Sequence, residues 1–477
     1  MKKIPNLRIN FDIRQVSPRF LPFADAATPE LPLGRLLRLS MFQWSVALAT
    51  VLLVGTLNRV MVVELLVPTW LVALMVSLPI LFAPFRALLG FRSDTHPSFI
   101  GWRRVPYMWF GNLMQFGGLA LMPWALFLLA HDTTNIIAGY IGGGVAFLLV
   151  GAGLHTTQTA GLALAADLAP PRVQPRVVAL LYVMLLIGMV GSALILSWLL
   201  ADFSYKRLAQ VVSGAAVATM VLNLIALWKQ EPRNPERTHP SIERPSFMQA
   251  WREFSQGGKA TVLLIALGLG TAGFQMQDIL LEPYGGQVLH LSVSQTTFLT
   301  ALLAGGTLLA CALAAYVLGR GSDPCRLAAF GGVAGMFAFI VILLSAPTDS
   351  ILLFRLGTTM IGFGAGLFVV GTLVAAMGMA QEGYSGIALG AWGAVQATAL
   401  GLAIAAGGAL RDYVADLAAQ GVFGPGLMGP FTGYGAVYFV EIILLLAAVI
   451  VIGPLADELH RPRSESSSKL GLAEFPG

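Results

Sequence analysis

The chain has 477 residues, 56% of them hydrophobic and only 11% charged, with a mean hydropathy of +0.76. A soluble chain carries roughly 25% charged residues, so a soluble enzyme is excluded and a multi-pass membrane protein is expected. Two cysteines, Cys311 and Cys325, can build neither a disulfide framework nor a four-thiolate zinc site. The net charge of +5 would suit a nucleic-acid partner, but the basic residues sort by membrane side, so no nucleic acid is expected.

Residues 1–38 are polar and basic, with no apolar core for a signal peptide, and are expected to form a cytoplasmic amino-terminal segment. Apolar runs bounded by Pro, Gly and charge then predict spans 1 to 6 near 40–63, 67–89, 105–130, 136–166, 177–200 and 208–228. Together they make an amino-terminal half over 39–228. A hydrophilic linker covers 229–258. Spans 7 to 12 are expected near 260–282, 295–318, 326–346, 350–378, 385–410 and 431–455, a carboxy-terminal half over 259–456. A polar tail, 457–477, closes the chain. Most of the 29 Lys and Arg residues fall on the side that carries both termini and the linker. The exceptions are Arg59, Lys206, Arg207 and Arg411 on the opposite side and Arg355 within a span. The positive-inside rule therefore predicts that both termini are cytoplasmic.

The halves echo each other. Gly90, Arg92 and Asp94 follow span 2, Gly319 and Asp323 follow span 8, and both copies are trailed by basic residues, Arg103 and Arg104 in the first and Arg326 in the second. This repeated Gly-x-x-x-Asp resembles the inner-loop signature of the major facilitator superfamily, which implies an all-α fold of twelve transmembrane helices in two pseudo-symmetric halves. The arginine expected after the Asp is Thr95 in one copy and Pro324 in the other. Gly268, Gly270 and Gly273 fit a dinucleotide-binding pattern only on paper, because no strand precedes them. Close helix packing explains them, as it explains Gly362, Gly364 and Gly366 and the run Gly142 to Gly144.

Polar groups inside spans are costly unless they face the interior or a partner. Asn58, Arg59 and Glu64 close span 1; His155 and Gln158 lie with three threonines in span 4; Gln275, Gln277, Asp278 and Glu282 lie in span 7; Arg355 lies in span 10. In the facilitator fold, by resemblance, spans 1, 4, 7 and 10 line the central cavity. Arg59, Glu64, Asp278, Glu282 and Arg355 are expected near the outer ends of their helices, as an interlocking clamp or as a substrate gate. His155 alone among six histidines falls inside a span. Its imidazole can satisfy a neighbouring helix, carry a proton or ligate a metal. With little charge deep in the cavity, an apolar, lipid-like ligand is expected.

A narrower resemblance rests on longer stretches in the right order: Phe20 to Arg35, Val54 to Glu64, Phe82 to His96, Gly101 to Tyr107, Thr156 to Asp167, Met276 to Gly286 and Gly390 to Gln396. Over residues 20–455 the chain resembles the PucC/LhaA family, the bacteriochlorophyll-delivery branch of the facilitator fold in photosynthetic bacteria. The opening stretch is closer to the branch that serves the core antenna than to the one that serves the peripheral antenna. The resemblance implies a non-enzymatic assembly factor of the inner, intracytoplasmic membrane that binds or delivers bacteriochlorophyll to antenna polypeptides. It implies work beside bacteriochlorophyll synthase and the membrane insertase, with carotenoid or lipid as further apolar ligands. His155 would meet the pigment magnesium, with Gln158, Trp392 and Gln396 around the macrocycle; helix packing is the plain alternative for Trp392 and Gln396. Arg92, Arg103 and Arg104 would be solvated charges or would meet partner proteins or anionic lipid headgroups. A secondary transporter of a small amphipathic solute and a pigment-free scaffold for antenna helices are the competing readings.

Overall fold

Helices dominate because a hydrocarbon environment leaves the backbone no other way to satisfy its polar groups within one segment. The computed structural model describes residues 27–29, 31–81, 102, 104–131, 136–170, 173–231, 259–318, 320–379 and 385–456. Among them are eleven helical stretches long and apolar enough to cross a membrane, and Thr69–Leu81 is the described part of span 2. The chain is a multi-pass membrane protein. Gly90, Arg92, Asp94, Arg103 and Gly319, the amino-terminal segment before residue 27, most of the linker and the tail lie outside the described residues.

Spans 3, 4, 5 and 6 are Val105–His131, Ile136–Leu168, Gln174–Leu199 and Tyr205–Leu227. Spans 8, 9, 10, 11 and 12 are Val293–Leu318, Pro324–Ser345, Ile351–Met379, Ser385–Ala419 and Phe431–Ile452. Side chains cap spans 6, 8, 9 and 10 at the amino end, where backbone N–H groups lack partners: the Gln295 and Leu353 N–H groups donate to Ser292 Oγ and Ser350 Oγ, both at 3.3 Å. The Arg207 N–H donates to Ser204 Oγ at 3.2 Å, and the Arg326 N–H donates to Asp323 Oδ1 at 3.0 Å.

Packing within one half repeats in the other. Span 3 lies along spans 4 and 6, and span 1 along spans 4, 5 and 6; correspondingly span 9 lies along spans 10 and 12, and span 7 along spans 10, 11 and 12. The halves meet where span 2 packs on span 11 and span 5 on span 8. Glycine makes the tightest crossings possible. A Cβ on Gly153 of span 4 would stand 2.6 Å from the Gly111 carbonyl of span 3, and one on Gly331 of span 9 would stand 2.6 Å from the Gly364 carbonyl of span 10.

Spans 1 and 7 depart from regular α-helix, and they do so where they touch each other. Span 1 runs through Leu33–Leu39 and Met41–Thr50 into π-helical turns at Val51–Leu57 and Val60–Glu64. Span 7 runs as Lys259–Gln275, tightens to a 3-10 turn at Met276–Ile279 and resumes at Leu281–Gln287. Pro283 accounts for the second break: it has no N–H, and its ring excludes the carbonyl four residues earlier, that of Ile279.

At the linker end, Arg104 does not fit the expectation of a solvated or headgroup-facing charge. It is only 5% exposed, and its Nε donates to Asp167 Oδ2 at 3.0 Å. Glu231, near the start of the linker, accepts the N–H groups of Arg104 and Val105 at 2.9 to 3.1 Å and so closes the start of span 3. Span 11 also runs past its expected end to Ala419. In this extension Arg411 Nη1 donates to Asp412 Oδ1 at 2.7 Å, and Asp416 is exposed.

Candidate functional site

The break in span 7 strands two backbone groups, and each is recovered by a side chain from another helix. Asn58 Nδ2 donates to the freed Ile279 carbonyl at 2.8 Å, and the Gln277 N–H donates to Glu441 Oε1 of span 12 at 2.7 Å. A buried polar group left unsatisfied costs about 1–3 kcal/mol, so these two bonds hold the broken helix in place. Asp278 takes the Gln277 side-chain amide at 2.8 Å and the Gln275 amide at 2.5 Å.

Around this break the halves are sewn together at the end away from the linker. Arg59, 4% exposed, pairs with Glu64, and its Nη2 donates to the Leu291 carbonyl across the interface at 3.0 Å. Thr56 and Thr297 share a hydrogen bond at 3.1 Å, and Ser197 Oγ donates to the Ser294 carbonyl at 2.9 Å. The Trp70 N–H, at the start of span 2, donates to Asp412 at 2.7 Å, and Gln287 Oε1 accepts from Arg411 and Tyr434 at 2.5 and 2.8 Å. Glu282 accepts from Thr300 at 2.6 Å within its own half and interacts electrostatically with Arg59.

The structure therefore brings Asn58, Arg59, Glu64, Gln277, Asp278 and Glu282 into one region, while Arg355 stands apart. Its guanidinium lies 5.7 Å from the Phe298 ring centre, and no carboxylate pairs with it among the described residues. Sequence reading missed Glu441, Arg411, Asp412 and Gln287. Glu441 was signalled by a lone acid in the most apolar span, and Gln277 beside the Pro283 break marked what it would bond.

Replacing Glu441 with alanine is expected to destabilise the protein by about 1–3 kcal/mol, because the Gln277 N–H loses its acceptor in a fully buried place. Glutamine keeps an acceptor oxygen, so Glu441→Gln should retain most of that stability. Denaturant titration of both variants in detergent distinguishes them.

The mid-span residues form a second arrangement. Helical repetition puts Ile137, Ile141, Val145 and Leu148 on one face of span 4 with His155 and Thr159, His155 lying whole turns from Ile137. Ile137 and Ile141 are 69% and 63% exposed; His155, Gln158 and Thr159 are half-buried. The polar group thus continues an accessible apolar stripe, with His155 Nδ1 shielded from solvent. Thr157 points the other way, onto Gly111 of span 3. On span 11, Trp392 Nε1 donates to Thr372 of span 10 at 3.3 Å, a helix-packing contact, and Gln396, half-buried, follows one turn later. Among the described residues spans 4 and 11 do not pack along each other, so His155 and Gln158 stand on a different wall from Trp392 and Gln396. Among the described residues no three His, Cys, Asp or Glu side chains converge to cage a metal ion.

The backbone resembles solved transporters. A bacterial homologue of the human lysosomal transporter Spinster, inward-facing and unoccupied, superposes with a TM-score of 0.67 at 14% identity, over 88% of this chain and 95% of the other. The fold is that of the major facilitator superfamily. Protein PucC of Rhodovulum sulfidophilum is 56% identical over 402 residues, covering 83% of this chain and 88% of the relative. An uncharacterized protein in the puhA-bchM intergenic region of Rhodobacter capsulatus is 52% identical over 470 residues, 97% of this chain and 98% of the relative. A more distant relative, the bacteriochlorophyll synthase 44.5 kDa chain of Rhodobacter capsulatus, is 28% identical over 370 residues, 76% of this chain and 83% of its own length. The family model described as PUCC protein matches residues 56–459, and the chain belongs to that family.

Proposed function

We propose that the chain is a non-catalytic assembly factor that hands bacteriochlorophyll to light-harvesting antenna polypeptides, those of the core antenna in particular. The observation that carries this reading is the stripe on span 4. A face that begins with strongly exposed isoleucines ends at an imidazole and an amide, which suits an amphipathic macrocycle arriving sideways from the bilayer. Relatives named for PucC and for bacteriochlorophyll synthase support it.

His155 and Gln158 fit the group chemically: a neutral imidazole nitrogen is a ligand that a pigment's magnesium would take. When bound, the pigment would supply its own metal, so the protein needs to give one ligand and no cage. His155 would provide that nitrogen and Gln158 an adjacent amide. Trp392 and Gln396 would offer an aromatic edge and a donor from the other wall, with carotenoid or lipid as further apolar guests. The clamp between spans 1 and 7 keeps the far end shut, which leaves entry to the side. Residence in the inner, intracytoplasmic membrane with cytoplasmic termini, next to bacteriochlorophyll synthase and the membrane insertase, belongs to the same reading.

Gently purified protein should carry near-infrared absorbing pigment. His155→Phe should reduce that pigment several-fold with unchanged expression and melting temperature. Wild-type pigment in the variant would remove His155 from the reading. Pigment-free wild-type protein that still captures antenna polypeptides would favour a scaffold, and solute uptake by reconstituted vesicles would favour a transporter.

A further inference from the structure

At the linker end of the carboxy-terminal half, spans 8 and 9 enclose a cavity of about 510 Å³. Its walls divide by chemistry. Leu313, Val317, Leu327 and Phe330 give it apolar walls, and Arg320 and Arg326 give it two cationic side chains. Both arginines are exposed, and the Arg320 guanidinium is stacked 3.9 Å from the Tyr316 ring centre, which fixes its plane. The one acid in the lining, Asp323, is buried, and its Oδ1 is taken by the Arg326 N–H at 3.0 Å. The lining therefore joins two cationic groups to apolar walls.

The apolar side does not stop at the cavity. Leu309, Leu313 and Tyr316 follow one another on one face of span 8 and are exposed, and Phe330 and Phe337 do the same on span 9 at 55% and 58%. These faces belong to membrane-crossing helices, so the groove opens onto the acyl chains of the leaflet on the linker side. A free phosphate would use the arginines and leave the groove unexplained; a lipid uses both.

We propose that this cavity is a binding site for an anionic phospholipid. The phosphodiester lies between the Arg320 and Arg326 guanidiniums, whose planar forks match phosphate oxygens, and the acyl chains run along Leu313 and Phe330. Tyr316 holds Arg320 at the depth of the headgroups. Neither arginine takes part in the clamp or in the span 4 stripe, so the site stands independently of pigment delivery.

The test uses the full chain, delipidated in neutral detergent, with phosphatidylglycerol added in mixed micelles and binding read by native mass spectrometry and by the shift in melting temperature. The wild type should retain phosphatidylglycerol in preference to phosphatidylcholine. Each of Arg320→Gln and Arg326→Gln should weaken retention about fivefold. The double variant should lose the preference while melting like the wild type in lipid-free detergent, and Arg320→Lys with Arg326→Lys should keep part of it. Equal retention of the two lipids by the wild type, or undiminished phosphatidylglycerol on a folded double variant, would overturn the proposal. So would full displacement by glycerol 3-phosphate, which would make this a site for a free phosphate. Capture of an acidic antenna peptide in place of lipid would overturn it in favour of a protein surface.

Discussion

Replacing Arg59 with leucine is expected to cost about 3 kcal/mol of stability and to loosen the end of the protein away from the linker. The magnitude follows from what the side chain leaves behind. Arg59 is almost fully buried and pairs with Glu64, while its other nitrogen reaches the Leu291 carbonyl in the opposite half. Breaking a buried pair by removing one partner costs about 3–5 kcal/mol, and the lower end applies because about a third of Glu64 reaches solvent, where water replaces the lost partner. Leucine also leaves the Leu291 carbonyl without its donor. Arg59→Lys keeps the charge but not the fork that serves two acceptors at once, so it should fall between wild type and leucine. Glu64→Gln should cost less than Arg59→Leu, since the contact that bridges the halves survives. Unfolding in denaturant gives the energies. Labelling of a cysteine introduced at Thr297, beside Thr56 in the seam, reports the opening: slow in wild type and faster in Arg59→Leu. Equal labelling and equal stability would show that Arg59 is not what closes this end.

Span count, the pairing of halves and the concentration of polar residues in spans 1, 4 and 7 were legible in the sequence because hydrocarbon imposes length and apolarity directly. Partner choice was harder. Arg59, Glu64 and Asp278 read as one set of charges that would neutralise each other, yet Asp278 takes amides from Gln275 and Gln277, and Arg355 sits over an aromatic ring. Charge alone does not fix partners where backbone groups compete for them. The deciding fact was Pro283, whose missing N–H frees the Ile279 carbonyl for Asn58. Glu441 stood out in the sequence only as a lone acid in an apolar span; its partner, a backbone N–H exposed by a helix break, is not a side chain that charge pairing would pick. Arg104 read as a loop charge because its partner, Asp167, lies far along the chain at the end of span 4. His155 was correctly placed within its helix, but which face it shares with Ile137 and Ile141 becomes meaningful only once the exposure of those isoleucines is known.

The glycines test the packing most sharply, because neighbouring positions of the same residue type should answer in opposite ways. Gly305 and Gly306 are adjacent in span 8. A Cβ on Gly305 meets open space, whereas one on Gly306 would overlap the Thr359 carbonyl of span 10. Span 3 repeats the contrast: Gly117 has open space, and Gly111 would bring a Cβ within 2.9 Å of the Gly153 carbonyl. Alanine at 305 or 117 should leave stability unchanged or raise it by up to about 1 kcal/mol, through better helix propensity and a less flexible unfolded chain. Alanine at 306 should cost about 3 kcal/mol, since two helices must move apart along a crossing where backbone meets backbone and no side chain can swing away. Valine at 331 should cost at least as much, because its Cβ would stand 2.6 Å from the Gly364 carbonyl while Gly364 presses equally on Gly331. Melting temperature and the fraction of folded protein recovered in detergent decide the matter. Equal losses at 305 and 306 would mean that these helices cross elsewhere than between Gly306 and Thr359.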